Sequence, residues 1–255
     1  MKQKIVFIIV AYYPDKRIFR RLLQTINAYP TIIVDNGAVG EVKLPNVEIL
    51  RNLRNIGYGA GANVGILKAL TEGGNWMVIL NQDIVISKKD VKKFISQLKI
   101  ARPGIMGIVQ GVLDSRRWTT ILDEKAVGQI YVSGSLIAIH RDVINEVGFF
   151  YEKYFLYYED TELCIRAKNA GFTLNSISLP SFKHKESQTL GRVSYEHQYY
   201  LARNHLLFVE RCAPWNIKLY ELIRLPKTIV DHIKNNERGS YRGVLDYLLR
   251  RFGPI

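Results

Sequence analysis

The feature that most constrains the fold is a regular alternation of short β-branched runs with amphipathic helical segments. Strand-like runs occur at Ile5–Val10, Thr31–Val34, Val47–Leu50 and Met77–Leu80. Helical patterns lie between the first two, near Ile18–Asn27, and between the last two, at Asn63–Thr71. This alternation predicts an α/β protein with a mostly parallel central sheet flanked by helices.

The second half of the chain continues the pattern and then changes to helix. We expect a helix at Asp90–Ile100, strands at Ile105–Gln110 and Ile130–Ile139, a helix at Glu159–Asn169 and a strand region at Ser178–Phe182. From about Tyr195 the pattern is nearly continuous helix. We therefore predict one α/β domain over residues 1–210, with halves of about 1–110 and 111–210, and a basic amphipathic helical extension over 211–255.

Charge and cysteine content narrow the partners and the compartment. The net charge of +13 favours nucleotides, anionic lipid surfaces or nucleic acid. The basic residues are scattered and no nucleic-acid motif accompanies them, so nucleic acid is not an expected partner. Cys164 and Cys212 form no CxxC pair. Their pattern is not that of a secreted disulfide framework, and we expect a cytoplasmic protein.

Neither end of the chain carries a clear membrane signal. The apolar run at Ile5–Val10 is short and lacks a small-residue cleavage site, which argues against a signal peptide. No segment approaches the roughly 18–20 apolar residues that span a bilayer. Apolar residues at helical spacing between Tyr241 and Phe252 alternate with arginines. That helix could lie peripherally on the inner face of the membrane, pack on the main domain or form a homodimer.

Four motifs lie where the predicted strands end, which is where ligands bind in open α/β sheets. Asp35 follows the second strand and could accept hydrogen bonds from a nucleobase or ribose, although Asn36-Gly37 is also an ordinary turn. The glycine-rich run from Asn55 to Gly65 allows close backbone approach to an anion at a helix start. It is neither a Walker loop nor a Rossmann fingerprint.

The other two motifs are acidic. Asn81-Gln82-Asp83 ends the fourth strand, and Asp83 could hold Mg²⁺ or Mn²⁺ that bridges two phosphates, or cap the next element. Tyr157 to Arg166 combines an aromatic lead-in with three acids. Those acids suit a helix N-terminus without any catalysis, but Asp160 is also placed as a general base. His184 could be a metal ligand or an ordinary polar residue.

In their order along the chain, these motifs resemble the inverting family 2 glycosyltransferases, especially the rhamnosyltransferase-like branch. The resemblance covers roughly Ile5 to Glu210 and rests on the strand–DN–G opening, N-x-G-x-G-x-G-x-N-x-G, LN-x-D, Y-x-ED-x-EL-x-x-R and Arg203-Asn204. It implies a GT-A fold.

The resemblance also assigns roles to individual residues. Asp160 would be the general base, supported by Glu159, while Asp83 and His184 would bind the divalent metal. Residues implied on the nucleotide-diphospho-sugar donor are Asp35, Asn55, Gly57, Gly59, Asn63, Asn81 and Arg203. Asn81 stands where the family's metal motif often has its first acid, and an amide binds metal less strongly than a carboxylate.

The resemblance implies transfer of a sugar, best guessed as L-rhamnose from dTDP-rhamnose, onto a hydroxyl of a surface polysaccharide or lipid-linked glycan. Alternatives are a UDP-hexose donor and a non-catalytic module that only binds sugar nucleotides. The joint presence of Asp83, Asp160 and His184 argues against the non-catalytic module.

Overall fold

The computed structural model of the chain describes residues 3–114, 117–121, 129–184 and 194–255. Its strands are β1 (Ile5–Tyr12), β2 (Thr31–Gly37), β3 (Val47–Arg51), β4 (Trp76–Asn81), β5 (Ile84–Val85), β6 (Gly104–Leu113), β7 (Thr120–Ile121), β8 (Gln129–His140), β9 (Thr173–Ser176) and β10 (Lys183–His184). Its helices are α1 (Lys16–Ile26), α2 (Tyr58–Thr71), α3 (Lys88–Ile100), α4 (Arg141–Val147), α5 (Glu159–Asn169), α6 (Tyr195–Cys212), α7 (Trp215–Lys234) and α8 (Arg238–Leu248).

One mixed sheet organises the main part of the molecule, in the order β3-β2-β1-β4-β8-β6-β7, with β9 also pairing with β6. The first four strands are parallel, so that Ile8 of β1 pairs with Ile32 on one side and Ile79 on the other. β8 then runs antiparallel to both β4 and β6. The expected α/β architecture is confirmed, and the carboxyl ends of β1, β2 and β4 meet at one edge.

Side chains of β1 alternate between two cores. Phe7 and Ile9 lie in the cluster that includes residues of α1 and α3, whereas Val6, Ile8 and Val10 lie in the cluster that includes residues of α2. Both faces of this strand are covered by helices, which is why its sequence is a continuous apolar run instead of an alternating one.

The glycine-rich run is mostly helix, contrary to the expectation that helix begins at Asn63. α2 starts at Tyr58, directly after Gly57. A Cβ on Gly61 would lie 2.7 Å from Val10 Cγ1, and one on Gly65 would lie 2.4 Å from Ile8 Cγ2. These two glycines therefore allow α2 to lie close against β1. Close packing of the helix on the strand thus explains two glycines of a motif that the sequence analysis assigned to the donor pocket.

The strand expected at Ser178–Phe182 is wrong. The structure has strands on either side, β9 and β10, and a turn between them in which the Phe182 N–H donates to the Leu179 carbonyl at 2.9 Å. Pro180 has no backbone N–H for a ladder. Ser181 instead donates its backbone N–H to the Asp90 carboxylate at 2.8 Å, which ties the turn to α3.

The C-terminal region is helical and consists of α6, α7 and α8, of which α6 and α8 pack closely on each other. The predicted boundary at residue 210 falls inside α6. α8 packs on α6 so closely that a Cβ on Gly243 would lie 2.4 Å from the Tyr199 carbonyl oxygen. Within the described ranges, no helix is long and apolar enough to cross a membrane.

Candidate active site

The carboxyl end of β4 brings Asn81, Asp83 and His184 together. His184 Nε2 lies 3.2 Å from Asp83 Oδ1 and 3.1 Å from the Asn81 side-chain amide nitrogen. Depending on the tautomer of the ring, His184 Nε2 either donates a hydrogen bond to Asp83 or accepts one from the Asn81 amide. The histidine, 101 residues away in sequence, is held there because β10 pairs antiparallel with β5, with His184 opposite Ile84.

This group has the chemistry of a small divalent-metal site. Asp83 is buried, and its second carboxylate oxygen, Oδ2, has no hydrogen-bond partner in the structure. An orphaned carboxylate oxygen beside an imidazole fits Mg²⁺ or Mn²⁺, which need only one or two protein ligands when phosphates and waters supply the rest. In the part of the chain that the structure describes, no group of three or more His, Cys, Asp or Glu residues could hold a metal without such help.

A second pair of acids lies at the start of α5. Asp160 accepts hydrogen bonds from the Gly134 N–H of β8 at 2.7 Å and from the Thr161 N–H at 2.6 Å. Its neighbour Glu159 is buried, and Glu159 Oε2 has no partner. The two adjacent carboxylates therefore differ, because Asp160 is partly exposed and hydrogen-bonded while Glu159 is enclosed.

Burial shifts the ionisation of both acids in the same direction. It raises the pKa of Glu159 to about 8, with a further contribution from the charge of Asp160. Burial also raises the pKa of Asp160, while the hydrogen bonds from Gly134 and Thr161 oppose that shift. The hydrogen bonds that Asp160 accepts from Gly134 and Thr161 stabilise its ionised form, which a general base needs, whereas Glu159 Oε2 accepts none from the described residues.

Tyr58 lies between the two acidic groups. Its hydroxyl donates to the Gly134 carbonyl oxygen, and Gly134 also donates its N–H to Asp160. Burial raises the pKa of Tyr58, and the nearby charges of Glu159, Asp160 and Asp83 raise it further. The Tyr58 hydroxyl is therefore close enough to the carboxylates of both groups for their charges to raise its pKa. Residues of β4, α2, β8 and α5 thus contribute to one site.

The third acid of the motif has a structural role. Glu162 is fully buried and accepts hydrogen bonds from Arg166 of the same helix and from Arg211 of α6, the latter at 2.8 Å. These two arginines neutralise a carboxylate that would otherwise be unpaired in the core. The acids at residues 159, 160 and 162 therefore have distinct environments.

The loop before α5 has a left-handed backbone at three aromatic residues. Phe155, Tyr157 and Tyr158 have φ of 64°, 69° and 73°. Conformations of this kind persist in bulky residues only when their surroundings hold them. Here Asn204 of α6 donates through its amide nitrogen to the carbonyl oxygens of Tyr154, Leu156 and Tyr157, at 2.8, 2.6 and 3.1 Å.

Arg203 has a different place from the one that the resemblance implies. Its side chain is fully buried, and it donates to the carbonyl oxygens of Tyr154 and Gly253 at 2.8 Å each. Its guanidinium also lies over the rings of Tyr199 and Tyr200. Because its hydrogen bonds go to backbone and neighbouring side chains, we assign Arg203 to holding the loop and the C-terminal segment, not to contacting the donor diphosphate.

The other residues that the resemblance assigns to donor binding lie near the N-terminus of α2 or stabilise nearby turns. Asn55 accepts from the Gly57 N–H at 2.9 Å. A Cβ on Gly57 would lie 2.6 Å from the Phe155 carbonyl oxygen, and one on Gly59 would lie 3.5 Å from Glu159 Cβ. Asn63 is buried and exchanges hydrogen bonds with the backbone of Phe150. Their common effect is to fix α2 and its N-terminus against the loop that leads to α5.

Asp35 is already engaged within the protein. One of its carboxylate oxygens accepts from the Gly37 N–H at 2.8 Å, and the other contacts the Arg51 guanidinium. Exposed Tyr12 and Tyr13 lie beside this turn, since a Cβ on Gly37 would meet both rings. Sequence reasoning gave no role to either tyrosine, to Tyr58 or to Gly134, and it named Asn204 only as part of the Arg203-Asn204 motif. The aromatic pair at the end of β1 was the one available signal.

The sequence of this chain is similar, at modest identity, to proteins that are named as glycosyltransferases. No family model matches the chain. It is 23% identical over 229 residues to the low-salt glycan biosynthesis hexosyltransferase Agl10 of Haloferax volcanii, covering 78% of this chain and 74% of that protein. It is 24% identical to the N-acetylglucosaminyl-diphospho-decaprenol L-rhamnosyltransferase of Mycobacterium tuberculosis, covering 81% and 84%. The dTDP-rhamnosyl transferase RfbF of Shigella flexneri is 26% identical, covering 69% and 67%.

Solved structures decide the fold. The mannosyltransferase PcManGT of Pyrobaculum calidifontis, solved with GDP-Man and Mn²⁺, matches with a TM-score of 0.58 at 11% identity, covering 98% of this chain and 87% of that one. The chain has the GT-A fold. TarS of S. aureus matches with a TM-score of 0.56 at 16% identity, and the match covers 90% of this chain and 43% of the TarS chain. The expectation of a GT-A fold is confirmed.

Proposed function

We propose that the protein is an inverting glycosyltransferase that moves a sugar from a nucleoside-diphosphate donor onto a hydroxyl of a glycan or lipid-linked glycan. One observation carries the proposal: a metal-type group, Asp83 with His184, and a base-type group, Asp160 with Glu159, lie near the same half-buried tyrosine, Tyr58, at the carboxyl edge of a GT-A sheet. The names of the relatives support the same reaction class.

Asp160 is the proposed general base. As the acceptor oxygen attacks the anomeric carbon, the proton of the acceptor hydroxyl passes to the Asp160 carboxylate. The bond between that carbon and the donor phosphate oxygen breaks, and the nucleoside diphosphate leaves with the bonding electrons. One displacement of this kind inverts the anomeric centre. Burial and the Gly134 hydrogen bond orient Asp160 for the transfer.

Asp83 and His184 are the proposed metal ligands, with Asn81 beside them. A Mg²⁺ or Mn²⁺ ion held there would supply positive charge against the departing diphosphate. The structural neighbour PcManGT was solved with Mn²⁺, which supports a divalent ion here. Here the unpartnered Oδ2 of Asp83 is the observation that favours metal dependence.

We further propose dTDP-L-rhamnose as the donor, because two of the relatives are named as rhamnosyltransferases. The exposed pair Tyr12 and Tyr13, next to the Asp35 turn, offers aromatic surface for the nucleobase. Arg51, which is bonded to Asp35 and half-exposed, is a candidate for the phosphate or ribose side of the same nucleotide.

The test is release of nucleoside diphosphate from a panel of dTDP-, UDP- and GDP-sugars, with and without acceptor lipid. We expect turnover of dTDP-rhamnose that stops with EDTA and with Asp83→Ala. We expect Asp160→Asn to lower transfer by about 10²–10⁴-fold while thermal-shift binding of the donor is kept. Glu146→Gln, an exposed acid on α4, is the matched control and should leave transfer unchanged.

Three results would contradict parts of this proposal separately. Near-full transfer by folded Asp160→Asn would remove the base assignment. Transfer that survives EDTA would remove the metal, and turnover of a UDP-hexose alone would replace the donor. Donor binding without turnover, in the presence of acceptor, would support the non-catalytic alternative.

A further inference from the structure

Helix α7 carries a long apolar face that no described residue covers. Its apolar residues project within an arc of about 100°, at about 100° per residue, over five turns of helix. Their side chains are between 46% and 77% exposed, and they are Trp215, Leu219, Leu222, Ile223, Val230 and Ile233. Pro226, also exposed, falls within the same arc. We call this surface the α7 face.

The opposite side of α7 is the one that holds it to the protein. Ile217 and Glu221 are the buried residues of this helix. Ile217 packs in a cluster with Val209 and Ala213, which links the start of α7 to the end of α6. The α7 face is therefore directed outward by the packing of the helix, and its exposure is not an effect of a loosely attached segment.

Basic residues border the α7 face on both sides. Lys218 lies next to one edge of the arc, and Lys227 and Lys234 lie next to the other. The one exposed acid of the helix, Asp231, projects away from the apolar arc. An apolar stripe bordered by lysines is complementary to a surface that has anionic groups above a hydrocarbon layer.

We propose that the α7 face docks the protein onto an anionic lipid surface, with the helix lying in the plane of the membrane. α7 is 20 residues long but is not apolar enough to cross a membrane, so on this proposal it would lie at the interface. The sequence-based expectation placed possible membrane contact on the C-terminal helices, and it described an amphipathic pattern only for the helix near residues 241–252. That helix, α8, instead turns Val244 and Gly243 into α6.

A second copy of the chain is a less suitable occupant. Two identical α7 faces brought together would place lysine borders of like charge next to each other, which opposes association. A lipid surface meets the same lysines with opposite charge. The proposal is compatible with a lipid-linked acceptor, but it rests on the α7 face alone and not on the proposed reaction.

The test is co-sedimentation of the full chain with phosphatidylcholine vesicles, with and without phosphatidylglycerol, in the absence of donor and acceptor. We expect pelleting with the anionic vesicles that is strongly reduced in Leu222→Gln/Ile223→Gln, by at least about tenfold in partition coefficient. Lys227→Glu/Lys234→Glu should weaken binding by on the order of fivefold for each lysine replaced. Both pairs are exposed, so these variants should keep the wild-type Tm.

Matched controls come from exposed residues elsewhere. Leu53→Gln/Ile100→Gln removes two exposed apolar side chains, and Lys89→Glu/Lys92→Glu reverses two exposed charges on α3. Both controls should pellet like the wild type. Trp215 gives a second readout, because its fluorescence should shift to the blue with anionic vesicles and Trp215→Phe should lose that shift.

Wild-type pelleting by Leu222→Gln/Ile223→Gln, or absence of pelleting by the wild-type chain, would overturn the proposal. So would light scattering that shows a dimer in free solution and a monomer for that variant, since the α7 face would then bind a second copy. None of these measurements depends on turnover, so failure here leaves the proposed reaction untouched, and an inactive protein that binds vesicles leaves this inference standing.

Discussion

At the scale of single residues, neighbouring acids of the site differ in their burial and in their hydrogen-bond partners. Glu159, Asp160 and Glu162 follow one another closely in sequence, yet their surroundings differ. Glu159 is buried, with one carboxylate oxygen that has no partner among the described residues, Asp160 is half-buried and accepts hydrogen bonds, and Glu162 is neutralised by two arginines. The sequence could predict that three acids begin a helix, but not this division. It depends on Gly134 and Arg211, which come from distant segments of the chain.

Glu159 should make stability depend on pH. Its folded pKa of about 8 lies above the unfolded value of about 4.3. Ionisation therefore costs more in the folded state, and stability falls as pH rises from about 4.3 through about 8. Relative to wild type, Glu159→Gln should gain at least about 1 kcal/mol between pH 5 and pH 9, or about 2–4 °C in Tm.

Thermal melts at the two pH values measure this effect, and the readout is the change in the difference between the variant and the wild type. Glu146→Gln is again the control, because that acid is exposed. An equal Tm difference at pH 5 and pH 9 would mean that Glu159 is ionised in the fold at no cost.

At the scale of elements, the sequence predicted the buried strands well and the connections poorly. β1, β2 and β4 are continuous apolar runs because helices cover both faces, so their residue types alone indicate them. The segment Ser178–Phe182 was predicted to be a strand, although it forms a turn, because the hydrogen bond that ties this turn to Asp90 leaves no signal in the local sequence. The start of α2 was missed because its glycines are selected by contact with Ile8 and Val10, which outweighs their low helix propensity.

The residue pattern by itself gave the candidate metal ligands one by one, and only the family resemblance assigned Asp83 and His184 to the same metal. His184 was an isolated histidine in the sequence, and only the pairing of β10 with β5 places it beside Asp83. Tyr58 had no signal beyond its position in a glycine-rich run. Residues that act through tertiary contacts of this kind leave no spacing pattern for sequence reasoning to find.

The loop before α5 should depend on the amide of Asn204. Asn204→Asp has nearly the same shape but places carboxylate oxygens against three backbone carbonyls that the amide nitrogen now satisfies. We expect a loss of about 3 kcal/mol or more in the free energy of unfolding. Urea denaturation measures it, with Asn216→Asp, an exposed asparagine at the start of α7, as the control.

Activity should fall with the loop even where the variant still folds. Asn204 touches none of the proposed reacting groups, so the expected signature is a lower kcat with donor binding retained. Unchanged stability and kcat in Asn204→Asp would show that the left-handed residues at 155, 157 and 158 need no help from α6.

At the scale of the whole molecule, the C-terminal helices are part of the enzyme's folded unit. Asp246 of α8 accepts from the Tyr199 hydroxyl at 3.0 Å, and Gly253 accepts from Arg203. Arg203 in turn bonds to the loop that leads to the proposed base. A chain of direct contacts therefore connects α8 to α5 through α6.

Shortening the chain after Asn235 should cost about 5 kcal/mol or more, a large share of the 5–15 kcal/mol that stabilises typical domains. It removes the buried Val244 and uncovers the guanidinium of Arg203. Circular dichroism melts measure the loss. Removing only Pro254 and Ile255 is the control and should cost about 1 kcal/mol, for the bond from the Ile255 N–H to the Tyr200 hydroxyl. A wild-type Tm for the shortened chain would show that the extension is separable.

The pairing of β10 with β5 can set the affinity for the proposed metal through the fraction of molecules in which the two strands are paired. Among the residues that the structure describes, two residue pairs form this ladder, Lys183 with Val85 and His184 with Ile84. Short ladders open locally far more easily than a central sheet does. Opening of this ladder would separate His184 from Asp83, and the apparent dissociation constant for the proposed metal would then be the intrinsic value divided by the closed fraction. A ladder closed about a tenth of the time would weaken the metal about tenfold. Tightening two backbone pairings would then strengthen donor binding without altering a single ligand.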